Sequence, residues 1–126
     1  MTVNITHDKD NDILVVTVVG ELSLASLAEA AQQIVSTDKH APNISALWDL
    51  RQADTSNIDQ HFLKSLVALR ENQYKEREGA KLALVANSDL KYGLSRMYEM
   101  LSSDLPQSMH VFRTINDAKD WLGSKS

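Results

Sequence analysis

The sequence has no cysteine, only four glycines and two prolines, and few aromatic residues among its 126 positions. Lack of cysteine removes disulfides, thiolate metal sites and cysteine nucleophiles together. The few glycines form no G-x-x-x-x-G-K, G-x-G-x-x-G or G-x-S-x-G pattern. Phosphate cradles and serine-elbow hydrolysis therefore lack the backbone they require. Apolar runs are short: Ile13-Leu14-Val15-Val16 stops at Thr17, far below the ~20 residues of a membrane span. The opening Met1-Thr2-Val3-Asn4 has neither the basic start nor the apolar stretch of a secretory signal. The expectation is a cytoplasmic chain without an integral membrane segment.

Basic charge is also in short supply, with 13 Lys and Arg against 17 Asp and Glu and a net charge of −4. Both signs are interspersed, whereas phosphate recognition needs a concentrated basic face, so no nucleic-acid partner is expected. His7, His40, His61 and His110 share no i,i+4 spacing and no carboxylate motif. Neither a metal site nor a cofactor is expected.

What is present is an ordinary globular composition, 43% hydrophobic and 24% charged. The length suits one domain over 1–126. Residues 3–7 and 13–20 are rich in β-branched side chains and flank the polar Asp8-Lys9-Asp10-Asn11-Asp12, which predicts an antiparallel hairpin. Leu24, Leu27, Ala28, Ala31, Ile34 and Val35 repeat at helical spacing over 23–35, with Ser23 or Ser26 as the cap. A short run at 44–50 with Trp48 inside it predicts a strand covered on both faces.

A second helix is expected over 57–77, buried through Ile58, Phe62, Leu63, Leu66, Val67 and Leu69, capped at Ser56 and ended by Gly79. Residues 81–86 predict a further strand, and Ser88 caps a third helix. That helix carries Leu90, Leu94, Met97 and Leu101 as its core stripe, with Met100 as filler, and Pro106 stops it. A last strand at 110–112 leads to a helix opened by Thr114 and Asp117, packing through Ile115, Ala118, Trp121 and Leu122, before a frayed tail at 123–126. The order β-β-α-β-α-β-α-β-α predicts an α/β fold with a mixed, mostly parallel five-stranded sheet and about four helices.

Three segments, Ala46-Leu47-Trp48-Asp49-Leu50-Arg51, Lys81-Leu82-Ala83-Leu84-Val85-Ala86 and Val111-Phe112-Arg113 leading to Ala118, Trp121 and Leu122, resemble the STAS-like superfamily of sulfate-transporter and anti-sigma-factor-antagonist domains. The ending, together with Tyr92-Gly93-Leu94-Ser95-Arg96-Met97-Tyr98, is similar to the bacterial branch grouped with lipid-carrier-like domains. The resemblance implies a STAS-like domain over nearly the whole chain. It also implies a strand-end aspartate at Asp49, followed in antagonists by a D-S-S-G-like segment bearing a phosphorylated serine. Asp54-Thr55-Ser56-Asn57-Ile58-Asp59 departs from that pattern, and a helix cap explains Ser56 better than phosphorylation does.

In open α/β sheets ligands sit beyond the carboxyl ends of the strands. A parallel sheet gathers Asp49, Arg51, Asn87, Ser88 and Arg113 there, as a partner- or ligand-binding edge or as internal pairs and solvated turns. Tyr92 and Arg96 share one face of the third helix with Glu99 and form a second candidate surface, against the plainer reading of a solvated Arg96–Glu99 pair. No residue is assigned a catalytic role. Two functions follow as expectations. One is a non-enzymatic regulatory or protein-interaction module, with a protein partner or a second copy of itself. The other is a carrier or sensor of a small apolar or lipid-like ligand bound beneath the third helix.

Overall fold

The computed structural model describes all residues except Tyr74, Pro106 and Ser124–Ser126. The expected stop at Pro106 and the tail beyond Gly123 lie outside the described residues. Nine elements follow in the expected order: β1 (Thr2–Asp8), β2 (Ile13–Glu21), α1 (Leu24–Ser36), β3 (Ser45–Asp54), α2 (Gln60–Glu71), β4 (Lys81–Val85), α3 (Asp89–Leu101), β5 (Ser108–Phe112) and α4 (Ile115–Leu122). The sheet is mixed and mostly parallel. β1 runs antiparallel to β2, and β2 through β5 are parallel. Their spatial order, β1-β2-β3-β4-β5, repeats the order along the chain.

That order decides where the helices lie. Each crossover steps one strand in the same direction, and right-handed connections then place α1, α2 and α3 on one face. Side chains alternate across the sheet. Leu14, Val16, Ala46, Leu82, Leu84 and Val111 meet Leu27 and Ile34 of α1 and Phe62 of α2. Ile13, Leu47, Ala83 and Val85 point the other way, onto Ala118 and Leu122 of α4.

Local chemistry sets most boundaries. Ser23, Ser88 and Thr114 cap α1, α3 and α4, each accepting from a main-chain N–H three residues on. In the hairpin turn, Asp8 accepts from the main-chain and side-chain nitrogens of Asn11, and Asp12 adopts φ +49°, which short polar residues tolerate.

α2 departs from expectation at both ends. Its cap is Asp59, which accepts from the Phe62 N–H, so Ser56 lies outside the helix. It finishes at Glu71 rather than Arg77, because tertiary partners draw the following residues away. Arg77 donates to the carbonyls of Pro42 and Ile44, and Asn43 donates to that of Glu78. Gly79 therefore does not end α2. With φ +85° it turns the chain into β4.

Candidate functional site

β3 extends four residues past the expected end because it keeps pairing with β2 after β4 stops, Glu21 lying opposite Asp54. Asp49 is therefore not the strand's last residue but the one level with Val85, where the β4 ladder ends, and Val85 lies beside Phe112. The register thus puts Asp49, Asn87 and Arg113 at the same end of the sheet.

Of the expected strand-end residues, Asp49, Arg51, Ser88 and Arg113 each have an internal partner or role, and Asn87 is exposed. Arg51 grips the buried Asp49 with a fork: its main-chain N and Nε donate to Oδ1 at 3.1 and 2.9 Å, and Nη2 donates to Oδ2 at 2.9 Å. Those side-chain hydrogen bonds hold the Asp49 carboxyl below its ordinary value, against the opposing effect of burial. Arg113 Nη1 donates to Asp89 at 2.9 Å, and its Cζ lies 4.3 Å from the Tyr92 ring centroid. Ser88 caps α3, and Lys91 Nζ donates to the Arg51 carbonyl at 2.8 Å, tying that helix to β3.

Asp49 predicts a pH signature. A carboxyl whose folded pKa is depressed contributes stability above its unfolded value near ~4, and the contribution fades as pH falls through the folded value. Asp49→Asn is expected to cost about 1–3 kcal/mol at neutral pH, because Arg51 loses a charged acceptor. Its urea midpoint should also fall less than that of the wild type between about pH 5 and 2. Parallel acid limbs would show that the pair contributes nothing to the pH dependence.

The third helix reverses the expected facing. Tyr92, Ser95, Tyr98 and Glu99 turn inward, while Leu90, Met97, Met100 and Leu101 are 67%, 41%, 63% and 38% exposed. Leu94 alone of the expected stripe is half-buried. Three of the inward residues meet polar side chains: the Tyr92 ring lies under Arg113, the Tyr98 ring centroid is 5.5 Å from Arg70 Cζ, and Glu99 lies against Arg96 at 3.4 Å and His110 at 3.2 Å. A tyrosine carries a buried ring and a polar tip at once. The contacts with Arg113, Arg70 and His110, all outside α3, fix the rotation of the helix, and the aliphatic stripe other than Leu94 is left outside.

Beneath α2 and α3 lies a cavity of about 150 Å³. Trp48, Leu66, Leu82 and Leu84 supply its apolar wall, and Arg70, Gln73, Arg77 and Gln107 gather at the end near the start of β3. This is the pole opposite Asp49 and Arg113. The cavity lies where a small apolar ligand was expected, beneath the third helix, but of that helix's expected stripe Leu94 alone, among the described residues, lines it, and its cationic end was not expected. The signal for that end is the row Leu63, Leu66, Arg70, Gln73, Arg77, in which the stripe of the helix expected over 57–77 turns cationic.

No protein-family model matches the chain, and no curated protein does. A solved structure does match, that of an uncharacterized protein of the DUF3478 family with a SpoIIAA-like fold from Shewanella loihica PV-4. The two align with a TM-score of 0.63 over 96% of this chain and 92% of the other, at 22% identity. The fold is STAS-like.

Within this STAS-like fold, the segment between β3 and α2 is a turn. Asp54 Oδ1 accepts from the Ser56 N–H at 2.9 Å, which lowers the Asp54 pKa, and Asn57 Nδ2 donates to the Leu22 carbonyl. Ser56 is exposed and is not the cap of α2, which is Asp59. The chain's STAS-like helices include none, among the described residues, long and apolar enough to cross a membrane.

Proposed function

We propose that this STAS-like domain is a non-enzymatic protein-interaction module of the regulatory kind, whose contact surface is the outer face of α3. The observation that carries this reading is the exposure of Leu90, Met97, Met100 and Leu101 on one side of one helix. Soluble chains bury such side chains, each worth about 1.5–3 kcal/mol when fully buried, unless another surface covers them. The carboxylate best placed for acid–base work, Asp49, is instead committed to Arg51, which supports a reading without catalysis. A cytoplasmic setting suits a chain without cysteine.

The occupant we assign is a second copy. The outward row Leu90, Gly93, Met97, Met100 is spaced three, four and three residues apart, a pattern symmetric about its own centre. An antiparallel copy sets Leu90 against Met100 and Gly93 against Met97, twice over, as a two-fold contact requires. Gly93 lies in the same stripe, and a Cβ added there would meet nothing within 4 Å. Its bare backbone lets a second helix come close. Sedimentation velocity from micromolar to millimolar protein tests the assignment. A rising weight-average coefficient, with α3 amide shifts that change on dilution, is the expected result. A monomer throughout, with unmoved α3 resonances, would sink it.

A second reading has its own observation, the cavity beneath α2 and α3. At about 150 Å³ it suits a ligand of roughly one ring. The ~300–1,000 Å³ of larger ligand pockets is beyond it, so a long acyl chain is not the cargo we propose.

A further inference from the structure

The cavity's charge is one-sided. Among the described residues Arg70, Arg77 and Lys91 line it, and no aspartate or glutamate does, in a chain where acidic residues outnumber basic ones 17 to 13. Lys91 is engaged at the other end, on the Arg51 carbonyl. The two arginines have only neutral partners. Arg77, 7% exposed, gives Nη1 to the carbonyls of Pro42 and Ile44. Arg70 gives Nε and Nη2 to the amide oxygen of Gln107 at 3.2 and 2.8 Å, and its Nη1 is buried without a hydrogen-bond partner. Among the described residues neither guanidinium has a carboxylate within ion-pair distance.

Buried charge without a counter-ion is costly, and buried N–H groups are normally satisfied. Desolvation, aided by the like charge of Arg70, pulls the Arg77 pKa down to about 10. An anion between the two would relieve the desolvation, the mutual repulsion and the orphaned N–H together. Gln73 and Gln107 share the cationic end, and apart from Thr55 and Ser95 the remaining wall is aliphatic and aromatic, so the anion's other end is expected to be mostly apolar. An engineered apolar cavity of this volume admits benzene, which bounds the body at about one ring.

We propose that the cavity binds a small monocarboxylate with a one-ring or short-chain apolar body, its carboxylate on Arg70 and Arg77 and its body against Leu66, Leu82 and Leu84. The inference rests on the second reading above and adds the ligand's charge to it. Guanidinium is the side chain best matched to carboxylate geometry.

The test is a titration of the full chain, followed by ¹H–¹⁵N shifts, with sodium benzoate, benzyl alcohol and inorganic phosphate in separate arms. Benzoate is expected to bind at least tenfold more tightly than benzyl alcohol, with shifts around Arg70, Gln107 and Leu84. Arg70→Met should erase that preference. Arg70→Lys keeps the charge but not the fork, guards against loss of folding, and should retain part of the preference. Equal affinity for benzoate and benzyl alcohol would overturn the carboxylate assignment and leave the cavity reading standing. Binding of neither would overturn both, and phosphate alone binding would overturn the apolar body. A preference for benzoate unchanged in Arg70→Met would place the anion elsewhere and overturn the site.

Discussion

Met97→Glu is expected to keep the chain monomeric at concentrations where the wild type pairs, weakening association at least ~100-fold, or about 2.8 kcal/mol. Met97 is the central outward residue of α3, faces Gly93 of the other copy in the proposed arrangement, and is 41% exposed in the single chain. The two-fold relation doubles the effect, because both copies bring a carboxylate into the same apolar contact and both must be desolvated. The variant should melt within about 0.5 kcal/mol of the parent, as surface substitutions do. That separates loss of pairing from loss of folding. Sedimentation velocity of the two proteins side by side decides the matter, and coincident concentration profiles would remove α3 as the contact.

The other large effect lies on the opposite face of the sheet. Leu47→Ala is expected to destabilise the chain by about 3 kcal/mol, in the range of buried leucine truncations. For a chain of this size that lowers Tm by about 10 °C. Leu47 has no exposed surface and packs with Ile13, Ala83 and Val85 under Ala118 and Leu122. Two of those neighbours are already alanines, so little side-chain bulk is at hand to move into the space left behind. Thermal melts by circular dichroism give the number, and a fall under about 1 kcal/mol would mean that α4 settles inward over the gap.

Element order, three of the four caps and the parallel sheet were legible in the sequence, because periodicity, capping side chains and βαβ alternation are local signals. The rest depended on partners distant in the chain. Arg51 to Asp54 read as loop because they are polar, yet they form strand because β2 continues alongside them. Residues 72–77 fit a helical pattern, but hydrogen bonds to Pro42 and Ile44 hold Arg77 elsewhere.

The α3 stripe shows the limit most clearly. Spacing revealed two faces, one of Leu90, Leu94, Met97 and Leu101, the other of Tyr92 and Glu99. It could not reveal that Arg70, Arg113 and His110 wait above the sheet to receive the second. The strand-end residues were legible as neighbours through their register. A ligand beneath the third helix was expected, but the cavity's cationic end was not, because its residues come from segments distant in the chain and only the cationic turn of the stripe expected over 57–77 hints at it.

Since strands line up in space as they do along the chain, a growing polypeptide finds the neighbour for each new strand already synthesised. Three helices shield one side as assembly proceeds. The reverse side has a single late cover, and until residues 115–122 leave the ribosome, Leu47, Ala83 and Val85 face water as a greasy wall. A nascent chain stalled before that point has its ladder complete and one flank bare, the form in which chaperones or aggregation would claim it.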